Sequence, residues 1–228
     1  MPPPPQKRHP YDQWSPDARA LDVVGDKWTL LIVRDLAGGP RRFVELQRTL
    51  PGISTEQLRS RLNRMVADDL LTRRRYREVP PRVDYDLTER ARDLLAVVAE
   101  IARWGYRHAW GQPRSGERID IGAILRATCG GGAPDGLEGA VELTVWSGPD
   151  RRELRYTLHA RDGTLGYRES GEPGADAHVT GQQEAYVEAF GPSRSRVALR
   201  FEGDRELAER LLDVVAGTAA TSRAVAVA

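Results

Sequence analysis

Eleven arginines fall between residues 41 and 82, against the acidic residues Glu45, Glu56, Asp68, Asp69 and Glu78. The segment is net +6 in a chain whose formal charge is only +1. Such a local excess suits a polyanion, and the accompanying side chains are those that handle duplex DNA. Arg59, Arg61 and Arg64 can read guanine or hold phosphates, Gln57 or Asn63 can pair with adenine, and Glu56 can accept from a cytosine amine. Ser54, Thr55 and Ser60 add hydroxyls. Arg41, Arg42, Arg73, Arg74, Arg75 and Arg82 complete the candidate DNA-contacting set, the last four suited to flanking phosphates or a minor groove.

Other chemistry is sparse. Cys129 is the only cysteine, which excludes an internal disulfide framework and a cysteine-based zinc site. His9, His108, His159 and His178 lack metal-ligand spacing, although His159 and His178 sit at polar positions of predicted strands and could be neighbours. No serine elbow or cysteine–histidine arrangement is visible. The run Gly130-Gly131-Gly132 lacks the lysine and flanking elements of a phosphate loop and reads as a turn. The expectation is therefore no catalytic residue, no metal, no cofactor and no enzyme. The longest apolar stretch falls far short of the roughly 20 residues of a membrane span, and the N-terminus lacks a signal-peptide core. A cytoplasmic protein with no membrane partner is expected, located at the nucleoid when bound to DNA.

The elements that must position the basic segment are legible. Ser15-Pro16-Asp17 is a helix start, with a hydroxyl cap, proline at the first position and an acid at the positive end of the dipole. Leu21, Val24, Trp28, Leu31, Ile32 and Leu36 follow at helical spacing, divided by Gly25. Residues 43–50 form a short amphipathic helix closed by Pro51-Gly52. Ser54-Thr55-Glu56-Gln57 is a capping-box pattern opening a helix that buries Leu58, Leu62, Met65 and Val66. Gln57 cannot both close that box and pair with adenine. Two strands, Leu71 to Glu78 and Arg82 to Leu87, flank a Val79-Pro80-Pro81 tip. Thr88 caps a long helix to about Trp110. The order is that of a winged helix-turn-helix.

Residues 20–32 (Ala-Leu-Asp-Val-Val-Gly-Asp-Lys-Trp-Thr-Leu-Leu-Ile), Gly39-Pro40-Arg41-Arg42-Phe43, Leu50-Pro51-Gly52-Ile53-Ser54 and the stretch from Pro80 to Thr88 together resemble the HxlR-type family of bacterial transcription regulators. The resemblance spans about 15–110. It implies a homodimer on a double-stranded operator, with the N-terminal helices and the long last helix in the dimer contact; Trp28, Leu94, Leu95, Val98, Ile101 and Trp104 are the residues so implied. Many relatives carry a redox-sensing cysteine just before the first helix. Ser15 stands at that position here and has no thiolate to oxidise.

The second half reads differently. Val141, Leu143 and Val145, then Leu154, Tyr156 and Leu158, then Leu165 and Tyr167, then Ala175, Ala177 and Val179, and finally Val197, Leu199 and Phe201 alternate with polar residues. A helix around 119–129 precedes these strands, and helices at 182–190 and 204–215 can cover their apolar face. The fold class is α+β in two domains, the second a five-stranded antiparallel sheet with helices on one face. The expected division is a Pro-rich arm (1–14), a DNA-binding and dimerisation domain (15–111), a linker (112–116), a ligand domain (117–216) and a flexible tail (217–228). Residues 176–183 and 197–204 resemble the tail of a sterol-carrier-protein-like domain. That resemblance implies a cavity for a small apolar effector, with Trp146, Tyr156, Tyr167, Tyr186 and Phe190 as its candidate lining. The alternatives are a lipid-binding protein whose front half serves dimerisation, and an enzyme using the rear pocket.

Overall fold

The computed structural model describes residues 10–77, 82–148, 150 and 152–217. The first nine residues of the expected arm, the Val79-Pro80-Pro81 tip and residues 218–228 of the expected tail lie outside them. Contacts divide the chain into two compact units, Met1–Leu94 and Leu95–Ala228.

In the first unit, α1 (Pro16–Val24) starts as the sequence predicts, with the Ser15 hydroxyl accepting from the Ala18 amide. Gly25 ends it; a Cβ there would lie 2.5 Å from the Leu21 carbonyl oxygen, so only glycine fits. α2 (Thr29–Asp35) buries Ile32 and Val33, with Leu36 just beyond its end. Leu21 and Leu31 are instead exposed. A two-residue strand, β1 (Arg41–Arg42), was not foreseen; it is too short to leave a periodic signature. α3 (Phe43–Thr49) and α4 (Thr55–Ala67) follow, then β2 (Leu71–Tyr76) and β3 (Arg82–Leu87). The sheet order is β1-β3-β2, all antiparallel. Leu58, Leu62 and Met65 anchor α4 in the core, whereas Val66 is exposed.

The long closing helix is interrupted. α5 (Glu89–Arg92) ends at Asp93 and α6 (Leu94–His108) resumes one residue later. Thr88 caps only α5, and its hydroxyl also donates to the Asp69 carbonyl at 2.8 Å.

The second unit holds α6, α7 (Ile121–Arg126), β4 (Gly139–Ser147), β5 (Arg152–Arg161), β6 (Thr164–Arg168), β7 (Ala177–Gln182), α8 (Gln183–Phe190), β8 (Arg200–Gly203) and α9 (Arg205–Val215). Five strands are present, but the sheet is mixed rather than purely antiparallel, with order β6-β5-β4-β7-β8 and β7 parallel to β4. β4, β5 and β6 form a meander. Its second turn uses Asp162 and Gly163, both at positive φ (51° and 69°), as a two-residue hairpin requires. The chain then crosses back over the polar face to reach the free edge of β4. Thr157 donates to the Ser170 carbonyl, and the Glu142 carboxylate accepts from the Glu172 amide during this crossing. Alternation of apolar and polar residues is the same for either strand direction, so the pattern could not reveal it.

Two further expectations are corrected. β8 begins only at Arg200, leaving Val197 exposed before it. His159 and His178 lie on β5 and β7, separated by β4, so they are not cross-strand neighbours. Val141, Leu143, Val145, Leu158 and Val179 form the buried face of the sheet. Leu211 and Leu212 of α9 and Phe190 of α8 join this core.

α6 turns one flank to the rest of its unit. A Cβ on Gly130, whose φ is +80°, would lie 2.6 Å from the Leu95 Cβ, so a left-handed glycine lets this turn seat against the helix. The Trp110 indole donates to the Phe190 carbonyl at 2.8 Å. Ala99, Ala102 and Tyr106 line a small apolar crevice with Thr128, Leu165 and Val214.

Candidate nucleic-acid interface

α4 is aimed by its cap and by its apolar face. The Ser54 hydroxyl accepts from the Gln57 amide at 3.1 Å, and Gln57 Oε1 accepts from the Ser54 amide at 3.1 Å. The capping box is closed, so in this conformation the Gln57 side-chain oxygen holds the start of the helix and is not available to a base edge. Gln47 of α3 donates to the Thr55 hydroxyl at 2.7 Å, tying the two helices across the Pro51-Gly52 turn. With Leu58, Leu62 and Met65 inward, helical spacing turns Glu56, Arg59 and Ser60 to solvent, with Asn63 and Arg64 half-buried beside them.

The sheet supplies the second wall. Arg73, Arg74 and Arg75 project from β2 and are exposed, and Arg73 lies over the Tyr85 ring at 6.0 Å. Phe43, Arg59, Asn63, Arg73, Arg75, Val83 and Tyr85 enclose an open cleft of about 450 Å³ between α4 and the hairpin. Four of those seven residues belong to the predicted contact set. The cationic rim suits a phosphate backbone lying between helix and wing.

Several predicted contacts have protein partners. Buried Asp84 on β3 takes a two-oxygen hydrogen bond from Arg82 at 2.9 Å and lies 4.0 Å from Arg42, and these guanidinium groups hold its carboxyl below the usual range. Arg59 pairs with Glu56 at 2.9 Å on the exposed face of α4. Arg61 pairs with Asp26 at 2.9 Å. Arg41 is half-buried on β1. Sequence reading missed Asp84 and Asp26 because acids inside a basic segment look like simple charge balance. Their signal is position: Asp84 lies two residues from Arg82 on the same face of its strand, and Asp26 lies three residues before the start of α2.

The dimer set divides. Leu95 and Val98 are buried within the chain, Leu94 and Trp28 are half-buried, and Ile101 (51% exposed) and Trp104 (60%) are open. Leu95 and Val98 therefore serve the chain's own packing, because helical spacing gave them the same periodic signal as the outward pair. Val97 joins the exposed residues, giving an apolar stripe at i, i+4 and i+7.

The ligand set is mostly closed. Tyr156, Tyr167, Tyr186 and Phe190 are buried, with Tyr156 and Tyr167 stacked at 5.9 Å and the Tyr186 hydroxyl donating to the Val179 carbonyl at 2.7 Å. Burial pushes the Tyr156 phenol up to about 12. Trp146 is half-buried on the opposite face of the sheet. These aromatics fill space in the described core, and none of the described clefts is lined by them. Beside them sits Arg126, with a side chain only 1% exposed, bonded to Asp120, Glu169 and the Tyr167 hydroxyl. No helix among the described residues is long and apolar enough to cross a membrane.

Residues 23–113 match the family model of HxlR-like helix-turn-helix proteins. The HTH-type transcriptional regulator BH0655 of Halalkalibacterium halodurans is 38% identical over 97 residues, which cover 42% of this chain and 86% of that protein. The chain belongs to the HxlR-like family. The HTH-type transcriptional regulator YkvN of Bacillus subtilis is 35% identical over 96 residues, 42% of this chain and 81% of its own length. The reduced form of the transcriptional regulator YodB from B. subtilis is similar over 42% of this chain and 96% of its own, with 33% identity and a TM-score of 0.38. Membership makes the chain a helix-turn-helix transcriptional regulator and not an enzyme. The family match ends at residue 113, so the five-stranded sheet of this HxlR-type protein lies beyond it.

Proposed function

We propose that this HxlR-type regulator binds a double-stranded operator as a homodimer, with α4 in the major groove and the β2–β3 wing on flanking phosphates. The observation that carries this reading is the cleft between α4 and the hairpin, where Arg59, Asn63, Arg73 and Arg75 face one another. Ser60, Asn63, Arg59 and Arg64 are the base-side candidates. Arg73, Arg74 and Arg75 are the phosphate-side ones, with Arg41, Arg42 and Arg82 behind them. Two-fold symmetry would set the two α4 helices about 34 Å apart, one DNA turn. The exposed stripe Val97-Ile101-Trp104 supports α6 as a dimer contact.

The test is duplex binding across a salt series, on an operator selected from a random pool. Arg74→Ala should weaken all sequences alike and reduce the salt slope by about 0.9. Ser60→Ala and Asn63→Ala should change the preferred sequence. Identical preference profiles for all three variants would refute this division of roles.

The helix-covered sheet supports a second assignment, that residues 117–216 form a sterol-carrier-like effector domain for a small apolar molecule. Since these four aromatics are buried, a ligand seated among Tyr156, Tyr167, Tyr186 and Phe190 must part them. Extraction of co-purified small molecules, followed by operator binding with each one added, tests this. Operator affinity unchanged by a molecule that binds the domain would end the regulatory reading, since coupling needs different affinity in the two states.

A further inference from the structure

The turn between α1 and α2 reaches the flank of α4 through one carboxylate. Asp26 Oδ1 accepts from the Trp28 and Thr29 amides at 2.8 and 3.0 Å, capping α2, whose formal cap residue Trp28 has no side-chain oxygen. Asp26 Oδ2 takes the buried Thr29 hydroxyl and the Arg61 guanidinium, the latter at 2.9 Å. Backbone and hydroxyl thus fix the carboxylate before the arginine arrives. Both partners are about three-quarters buried, at 22% and 25% side-chain exposure, so the pair is screened less than a surface one. Arg61 stands next to Ser60 and one turn before Arg64, on the side of α4 between its buried and outward faces.

We infer that Arg61 is a positioning residue for sequence recognition. Held by Asp26, it sets the rotation and tilt of α4 and does not itself contact DNA. This rests on the reading of α4 as the base-reading helix. Base-edge hydrogen bonds tolerate little displacement, so loosening the strut should cost discrimination more than general affinity. A direct DNA contact by Arg61 requires the opposite. Freeing it by neutralising Asp26 would then raise affinity for every duplex.

The experiment measures Kd for the selected operator and for a random duplex across salt, for Asp26→Asn, Arg61→Gln, Arg61→Lys and the Asp26→Asn/Arg61→Gln double variant. Asparagine retains an oxygen for the two amides, so the α2 cap survives. The preference for operator over random duplex should fall about fivefold in Asp26→Asn and in Arg61→Gln, and no further in the double variant. The salt slope should stay unchanged throughout. Arg61→Lys should recover part of the preference. A rise in affinity for both duplexes on Asp26→Asn, together with a slope flattened by about one on Arg61→Gln, would overturn the inference, as would additive losses. If Asp26→Asn melts early, Arg61→Gln and Arg61→Lys, which have no capping role, decide it through preference against slope. A wild-type protein with no sequence preference would refute the reading of α4 itself, and the inference with it, whereas loss of salt dependence in Arg74→Ala alone would leave both standing.

Discussion

Replacing Trp104 with alanine removes the largest member of the exposed apolar stripe on α6 without touching the core. Trp104 is 60% exposed in the single chain. A buried tryptophan carries roughly 150–250 Å² of surface, which leaves on the order of 130 Å² for a partner to cover. At about 25 cal/mol per Å² this is about 3 kcal/mol per copy, counted twice across a two-fold axis. Interfaces cover such side chains incompletely, so about half of the total, again about 3 kcal/mol, is the expected loss. Dimer dissociation should therefore strengthen at least 100-fold. Sedimentation equilibrium over a concentration series measures it directly, and Ile101→Asp (51% exposed) should act in the same direction. Operator affinity should fall in parallel, because one protomer reads only half a site. An unchanged dimer constant in both variants would refute α6 as the contact and the area reasoning behind it.

Ser54→Ala removes the hydroxyl that caps α4, and a urea titration should show a loss of about 1 kcal/mol with an unchanged slope. Cys129 is buried and its thiol is pushed up to about 12 by that burial. Iodoacetamide at pH 8 should therefore leave the native protein unlabelled and label the denatured protein fully. His159 is held below its ordinary value of 6.5, first by burial and then by Arg168. A lowered folded value favours the neutral ring. The resulting stability is present above about pH 6.5 and lost as pH falls through the folded value, so His159→Gln should flatten the melting temperature between pH 4.5 and 6.5.

The winged helix-turn-helix was legible because its signals are local. Ser15-Pro16-Asp17, the capping box at Ser54 and the Arg82–Leu87 strand each specify an element within a few residues. What escaped depends on contacts distant in sequence. Nothing local told that Arg61 would be claimed by Asp26, or that β7 would join β4 in parallel. Periodicity marks an apolar face without naming what covers it. Leu95 and Ile101 carried the same helical signal, yet one is buried and the other open. The aromatic inventory of the second half was read correctly as apolar, but close packing and a ligand cavity use the same residue types.

The inner flank of α6 bears on where this protein can be cut. Leu95, Ala99, Tyr106 and Trp110 meet Gly130, Gly131, Gly217 and the Phe190 carbonyl, so the hydrophilic stretch at 112–116 is a poor scissor site despite its composition. A fragment ending there would bring a freshly uncovered greasy strip into solvent and a tryptophan indole robbed of its acceptor. Shortened to the length of its smaller cousins, this regulator would need a new cover for that strip, through mutation or aggregation.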